Sequence, residues 1–219
     1  MNNRLENERS LVFSYLTLRK TIGLLGIALP FVLSLGTLIL FHAGLQSSIS
    51  SYYHTGMRDV FVGILCVIGF FLLSYKGYER SDDIAGDLGC LFAVGVALFP
   101  TTPDVAATSG ARLIGHIHLA FAALFFLTLI YFSIFLFTKT DPNKSPSRRK
   151  LQRNKVYKAC GYTMGICLLL ITIYFFLPDT IASFLEAYKP VYWFETLAIL
   201  AFGISWFTKG ETILKDEQI

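Results

Sequence analysis

Long uncharged stretches alternate with short polar segments along the whole chain. A bilayer core about 30 Å thick is crossed by roughly 20 helical residues, and each uncharged stretch has about that length. The pattern therefore predicts an all-α polytopic membrane protein, a six-transmembrane-helix bundle that forms a single domain over residues 1–219. The predicted spans are residues 21–42, 58–75, 84–100, 112–138, 159–178 and 190–208.

The composition agrees with this interpretation. The chain is 54% hydrophobic and only 16% charged, with a mean hydropathy of +0.56, which leaves too little polar surface to cover a water-soluble globule. The first uncharged stretch is long for a signal peptide and no small-residue cleavage motif follows it, so we expect it to be retained. The connections are short, and no separate soluble domain is expected.

The basic residues predict the orientation of the bundle. Sixteen of the nineteen Lys and Arg residues lie on one side of the predicted spans, and only Arg58, Arg112 and Lys189 lie on the other. Because cytoplasmic loops retain positive charge, both termini and the loops at 76–83 and 139–158 are predicted to be cytoplasmic. The expected location is the cell membrane, which is the inner membrane in a Gram-negative bacterium.

The basic loop at 139–158 predicts partners. Its run of Lys and Arg favours contact with anionic lipid heads. The net charge of +4 is explained by topology, so membrane lipids and not nucleic acid are the expected partners. The chain has no G-x-x-x-x-G-K-[ST] and no G-x-S-x-G motif, and nucleotide-driven chemistry is not expected.

All four histidines fall on the predicted outer side. They are His42, His54, His116 and His118. Arg112 and His116 lie one turn apart on one helical face, whereas His118 points about 200° further round. A charged neighbour indicates that this face meets protein or water, so His116 is the better candidate for an inward-facing site.

Glu195 lies five residues into the sixth span, about 7 to 8 Å from its outer end by a rise of 1.5 Å per residue. Such groups face the bundle interior and have a partner, because exposing them to lipid is costly. Arg58 and Arg112 are the available cations. Two interpretations stay open, a carboxylate that binds a ligand or a proton, and a structural ion pair that closes the bundle.

A second cluster precedes the second span, where Ser50, His54 and Asp59 fall within ten residues. A catalytic zinc needs about three protein ligands and an open position for water. His54, His116, His118 and Asp59 are the candidate ligands for zinc or a similar divalent metal, with Ser50, Asp59 or Glu195 as candidate catalytic groups. No H-E-x-x-H pair fixes two ligands on one helix, and histidines at a membrane interface are also ordinary amphipathic residues.

Three short segments together resemble a known family. They are Ser48-Ile49-Ser50, Gly115-His116 with the following run to Tyr131, and Tyr192-Trp193-x-Glu195. This arrangement is similar to the Frag1/DRAM/Sfk1 superfamily of six-helix membrane proteins and its bacterial relatives. The resemblance implies a role in membrane lipid handling and brings no catalytic residues.

Three hypotheses of different class follow. In the first, an outward-facing polar pocket binds a lipid or another amphiphile without covalent chemistry; its predicted lining is His54, Arg58, Asp59, Arg112, His116 and Glu195. In the second, the same layer is the metal site of a hydrolase or transferase acting on a lipid ester or amide. In the third, the bundle is a structural or assembly protein and the polar layer is an interface belt.

Overall fold

The structure is a computed structural model that describes residues 2–75, 77, 79–105, 107–140 and 145–214, with side chains from Tyr15 onward. Within these residues the fold is all-α and contains no strand. A 3-10 turn (Ser50–His54) precedes α2, and a π-helical turn (Phe132–Leu136) extends α4. The α-helices are α1 (Asn2–Phe41), α2 (Arg58–Leu73), α3 (Arg80–Leu98), α4 (Ser109–Tyr131), α5 (Arg148–Phe175), α6 (Asp179–Glu186) and α7 (Pro190–Lys209).

Four of these helices are long and apolar enough to cross a membrane, which identifies a membrane protein. They are Tyr15–Phe41 within α1, Ser109–Leu136, Arg148–Phe175 and Pro190–Lys209. The other two long helices differ in physical character. The 16 residues of α2 extend only about 24 Å, and α3 has Asp82 and Asp83 in its first turn.

Each predicted span falls on a helix, but α1, α3, α4 and α5 begin earlier than predicted, and capping explains the starts of α3 and α5. α3 begins at Arg80 because Glu79 and Asp82 form a capping box, in which Asp82 Oδ2 accepts from the Glu79 N–H at 2.9 Å. α5 begins at Arg148, inside the predicted loop 139–158, because Ser147 Oγ accepts from the Lys150 N–H at 3.1 Å. Counting uncharged residues misses both starts, since capping groups and the helix turns that follow them are polar.

Helices α1 and α7 approach closely at two glycines. A Cβ built on Gly23 would lie 2.9 Å from the carbonyl oxygen of Gly203, and one on Gly203 would lie 2.9 Å from the carbonyl oxygen of Gly23. The α2–α3 pair is similar, because a Cβ on Gly86 would lie 2.6 Å from the Leu72 carbonyl oxygen. Small residues let helix backbones meet in membranes, and here they set the positions of the helices that carry the polar groups.

The bundle has two chemically different ends. The histidine end holds the connections 42–57, 99–108 and 176–189. The basic end holds the described residues of the connections 74–79 and 137–147, the first turns of α1 and the residues that follow α7 up to 214. The basic residues of α5 and α7 lie at this second end.

Candidate functional site

Glu195 lies in the second turn of α7, at the histidine end. Its Oε2 accepts a hydrogen bond of 2.6 Å from the backbone N–H of Ile49. The α1–α2 connection presents this N–H because its serines fold it into a tight turn, with the Ser51 N–H donating to Ser48 Oγ at 2.9 Å. The carboxylate is thus held by the backbone of a connection, and no cation among the described residues lies within ion-pair distance of it.

An apolar cavity lies beside Glu195, between α1, α2, α4 and α7. Its volume is about 50 Å³. This is room for about three waters or a few carbon atoms. Leu29, Phe61 and Phe125 are typical lining residues, and among the described residues Glu195 and Ser50 are its polar lining residues. A carboxylate at the edge of an apolar cavity is the arrangement expected for binding a molecule with one polar and one apolar part.

Neutral hydrogen bonds fix the position of α7 against α1. Ser34 Oγ donates to the Pro30 carbonyl at 2.6 Å and accepts from the hydroxyls of Tyr192 at 2.7 Å and Tyr52 at 3.2 Å. Tyr52 is fully buried, and this burial raises the pKa of its hydroxyl above the ordinary value, so it stays neutral. The Tyr192 N–H also donates to the Ser47 carbonyl at 3.1 Å. These bonds also fix the position of Glu195, three residues further along α7, relative to the α1–α2 connection.

Two histidines anchor the connection between α3 and α4. His118 is 3% exposed and its Nδ1 donates to the Phe99 carbonyl at 2.6 Å, since a carbonyl oxygen can only accept. His54 Nε2 contacts the Thr101 carbonyl at 2.7 Å. Both side chains hold this connection against the bundle, although His54 itself is exposed.

The helical phase of α4 is opposite to the one expected for His116. The structure places His118 on the buried face and leaves His116 exposed. The reason is Gly115, where a Cβ would lie 2.8 Å from the Thr102 backbone nitrogen, so the glycine face and not the Arg112 face meets the α3–α4 connection. Arg112 is exposed with His116.

The structure does not bring the remaining predicted residues to the cavity. Arg58 and Asp59 are exposed at the start of α2. The Arg58 guanidinium lies 4.7 Å from the centre of the Tyr53 ring, a cation–π contact on the surface of the bundle. Of the six residues predicted to line the pocket, Glu195 alone lines this cavity, and it is joined there by Ser50, a predicted catalytic candidate.

The candidate metal ligands do not form a cluster. Within the described part of the chain, no three His, Cys, Asp or Glu side chains lie close enough together to hold a metal ion. His54 and His118 bond to carbonyls of the same connection, whereas His116 and Asp59 are exposed on separate helices. The four side chains predicted to bind zinc thus do not converge on one point. Two of them, His54 and His118, bond to backbone carbonyls instead.

Some polar contacts of this end were not predicted from the sequence. Asp104 accepts from Ser47 Oγ at 3.0 Å and joins the α3–α4 connection to the α1–α2 connection. Ser34 and Tyr192 lie in apolar stretches where their partners cannot be read from spacing. The serine-rich segment before α2 was the available signal for Ser47, because serines in a connection commonly bond to nearby backbone.

Comparison with protein-family models, with curated proteins and with solved structures gives no match to this chain. The class is therefore defined by the fold and the site together. It is an all-α membrane protein with a carboxylate at the edge of an internal apolar cavity. The resemblance to the Frag1/DRAM/Sfk1 superfamily stays a prediction from its three short segments.

Proposed function

We propose that this membrane protein binds an amphiphile whose polar head reaches Glu195 and whose apolar part places a few of its carbon atoms in the adjoining cavity. The observation that carries the proposal is the position of the Glu195 carboxylate at the edge of an otherwise apolar cavity. Ionisable groups within membrane bundles are costly and mark functional sites by default. Ser50 is the second polar lining residue among the described residues.

The chemistry of the carboxylate indicates which heads it accepts. An ionised carboxylate only accepts hydrogen bonds, and one of its oxygens already takes the Ile49 N–H. Among the described residues, no Lys, Arg or His lies within ion-pair distance of Glu195. The favoured head therefore carries donors, as an ammonium or hydroxyl group does. This replaces the expectation that Arg58 and Arg112 hold an anionic group, since both are exposed.

The proposed topology has six spans, with α2 and α3 crossing as a pair. Their charged ends fit this placement, because Arg58 and Asp59 lie at the histidine end and Asp82 and Asp83 at the basic end. Between these ends the residues are mostly apolar and would lie in the hydrocarbon, and Asp87, two turns into α3, is the charged exception. The excess of Lys and Arg then favours a cytoplasmic basic end, with anionic lipid heads near residues 139–158.

The test compares three amphiphiles that share one chain and differ only in the head. Dodecylamine, dodecanol and dodecanoate are added to the detergent-solubilised full chain, and binding is measured by native mass spectrometry. We expect the amine and the alcohol to bind better than dodecanoate, because the Glu195 carboxylate repels an anion and accepts from donors. The amine should exceed the acid by about tenfold in affinity, the effect of about 1.4 kcal/mol.

Glu195→Gln keeps the shape of the side chain and removes its charge. The discrimination between amine and acid should disappear in this variant while dodecanol binding changes least. Glu186→Gln, on the exposed surface of α6, is the matched control and should behave as the native chain. Equal binding of all three amphiphiles by the native chain, or discrimination that survives in Glu195→Gln, would refute the proposal.

A further inference from the structure

A cluster of four basic side chains lies at the basic end, away from the Glu195 cavity. They come from three helices, with Arg19 on α1, Lys150 and Arg153 on α5, and Lys209 on α7. The Lys209 ammonium interacts electrostatically with each of the other three. Arg153 is 8% exposed and the other three are partly buried. We refer to these residues as the four-cation cluster.

Aromatic rings position the charged groups. The Arg19 guanidinium lies 5.6 Å from the centre of the Tyr75 ring, and the Lys209 ammonium lies 5.2 Å from the centre of the Phe137 ring. These two rings are neighbours, with centroids 6.2 Å apart. The rings thus hold two cations from different helices over one aromatic surface, and ring faces stabilise a cation without neutralising it.

Lys150 and Arg153 complete the cluster from α5. The Lys150 ammonium donates to the Phe137 carbonyl at 2.8 Å and lies 5.9 Å from the Tyr157 ring. Tyr157 in turn interacts electrostatically with both Arg153 and Arg19. The four cations therefore surround one region, which Tyr157 and Phe137 border.

Glu211 and Asp82 are carboxylates of the described residues that interact with members of the cluster. Glu211 lies 3.6 Å from Arg153, and Asp82, which forms an ion pair with Lys139 at 3.0 Å, also interacts electrostatically with Lys209. Arg19 and Lys209 have no carboxylate within ion-pair distance among the described residues, and Arg19 Nε is a buried donor without a hydrogen-bond partner. Like charges that converge in a partly buried region repel one another, so an anion bound among them would stabilise this arrangement.

We propose that the four-cation cluster is a binding site for a phosphate monoester group. A phosphate monoester carries close to two negative charges and three acceptor oxygens, which suits guanidinium and ammonium donors arriving from several directions. Arg19 and Lys209 lie at the ends of spans, where lipid phosphates are found. The site is built by helix side chains, unlike the general attraction of anionic lipids to the basic connection, and it does not depend on the amphiphile site.

The experiment uses short-chain soluble lipids with the purified full chain. Dihexanoyl phosphatidic acid, with a monoester phosphate, is compared with dihexanoyl phosphatidylcholine by microscale thermophoresis. We expect phosphatidic acid to bind at least about tenfold more tightly. Inorganic phosphate is then added as competitor. Competition would assign the site to a free phosphate compound, and its absence would assign it to a lipid headgroup; both results require the phosphate preference.

The decisive variant is Arg19→Gln combined with Lys209→Gln. The affinity for dihexanoyl phosphatidic acid should fall by about tenfold or more, because the two cations without carboxylate partners are removed. The matched control is Lys155→Gln combined with Lys158→Gln, which removes two exposed charges from α5 at the same end. It should change the affinity by less than about twofold.

Three results would overturn the proposal. One is equal affinity of the native chain for the two lipids. Another is an equal loss of affinity in the control double variant, which would show a diffuse attraction to basic charge. The third is full affinity in the Arg19 and Lys209 double variant. Lys209→Met alone, which keeps the apolar stem of the side chain, answers the same question if the double variant does not fold.

Discussion

The two ends of the bundle are held together by different interactions. At the histidine end, neutral hydroxyls and backbone groups connect α1 and α7, and the charge that faces inward is the single carboxylate of Glu195. At the basic end, cations lie over aromatic rings and a buried carboxylate, Asp82, pairs with Lys139. The histidine end is therefore suited to a ligand that carries hydrogen-bond donors, and the basic end to a ligand that carries hydrogen-bond acceptors.

Helix α7 connects these opposite properties. Its N-terminal part carries Glu195 and its last residue is Lys209. A helix dipole favours negative charge near the N-terminus and positive charge near the C-terminus, so the direction of α7 supports both placements. The two proposed sites are thus joined by one helix whose polarity matches the chemistry of each.

The largest effect is expected at the buried ion pair of the basic end. Asp82 is 1% exposed, accepts from Lys139 at 3.0 Å and also caps α3. Asp82→Asn removes the charge and should lower the free energy of unfolding by about 2 to 3 kcal/mol, because among the described residues Lys139 then keeps only the exposed Glu79 as an anionic partner, beside the Ser81 hydroxyl. Unfolding in mixed detergent and dodecyl sulfate micelles, followed by circular dichroism, measures this change.

The control for this comparison is Asp87→Asn, an exposed carboxylate on the same helix. It should alter the free energy of unfolding by less than about 0.5 kcal/mol. Burial disfavours the charge of Lys139, but its hydrogen bonds with Asp82 and Glu79 outweigh this and raise its pKa. The part of the stabilisation that comes from the charge of Lys139 is therefore present at neutral pH and is lost as the pH rises through that raised value. Equal effects of Asp82→Asn and Asp87→Asn would show that the basic end does not depend on this pair.

A smaller effect is expected where α1 and α7 join the two ends. Gly203→Ala places a Cβ 2.9 Å from the Gly23 carbonyl oxygen and 3.0 Å from the Ile27 backbone nitrogen, and backbone atoms cannot rotate away as a side chain does. We expect the free energy of unfolding to fall by about 2 kcal/mol, as for overpacked cores. Both sites should weaken together, because α7 carries a residue of each.

Gly63→Ala is the matched helix substitution, since no atom lies within 4 Å of its built Cβ. Alanine is a better helix former than glycine, so this variant should be neutral or more stable by up to about 1 kcal/mol. If Gly203→Ala were equally harmless, the close approach of α1 and α7 would not couple the two ends. The same unfolding assay and both binding assays decide this point.

The sequence predicts the helices well because an apolar stretch of about 20 residues in lipid must form a helix to satisfy its backbone hydrogen bonds. It cannot show that α2 and α3 cross the membrane, since one is short and the other begins with charged residues. Glu195 was recognisable because a carboxylate inside an apolar stretch is unusual. The face of α4 that is buried could not be recognised in the same way. It is set by the fit of Gly115 against Thr102, which is a contact of the tertiary structure.

The basic end illustrates a different limit of sequence reasoning. The charges of the loop at 139–158 were read as an anchor for lipid heads, but Lys150 and Arg153 belong to a helix and meet residues more than fifty positions away. Arg19 and Lys209 lie at opposite ends of the sequence, and no spacing rule brings them together. Their convergence follows from α1 and α7 packing side by side.

The smallest effect is expected for the neutral hydrogen bonds of the histidine end. Tyr192→Phe removes a hydroxyl that lies 2.7 Å from Ser34 Oγ, while Tyr52 still donates to that oxygen. The free energy of unfolding should fall by about 0.6 to 1 kcal/mol, the usual range for such bonds within membrane bundles. Tyr188→Phe, on a ring that is 65% exposed, should change nothing measurable. A loss as large as that of Asp82→Asn would contradict the contrast between the ends, because the neutral network would then stabilise the bundle as strongly as the buried charge pair.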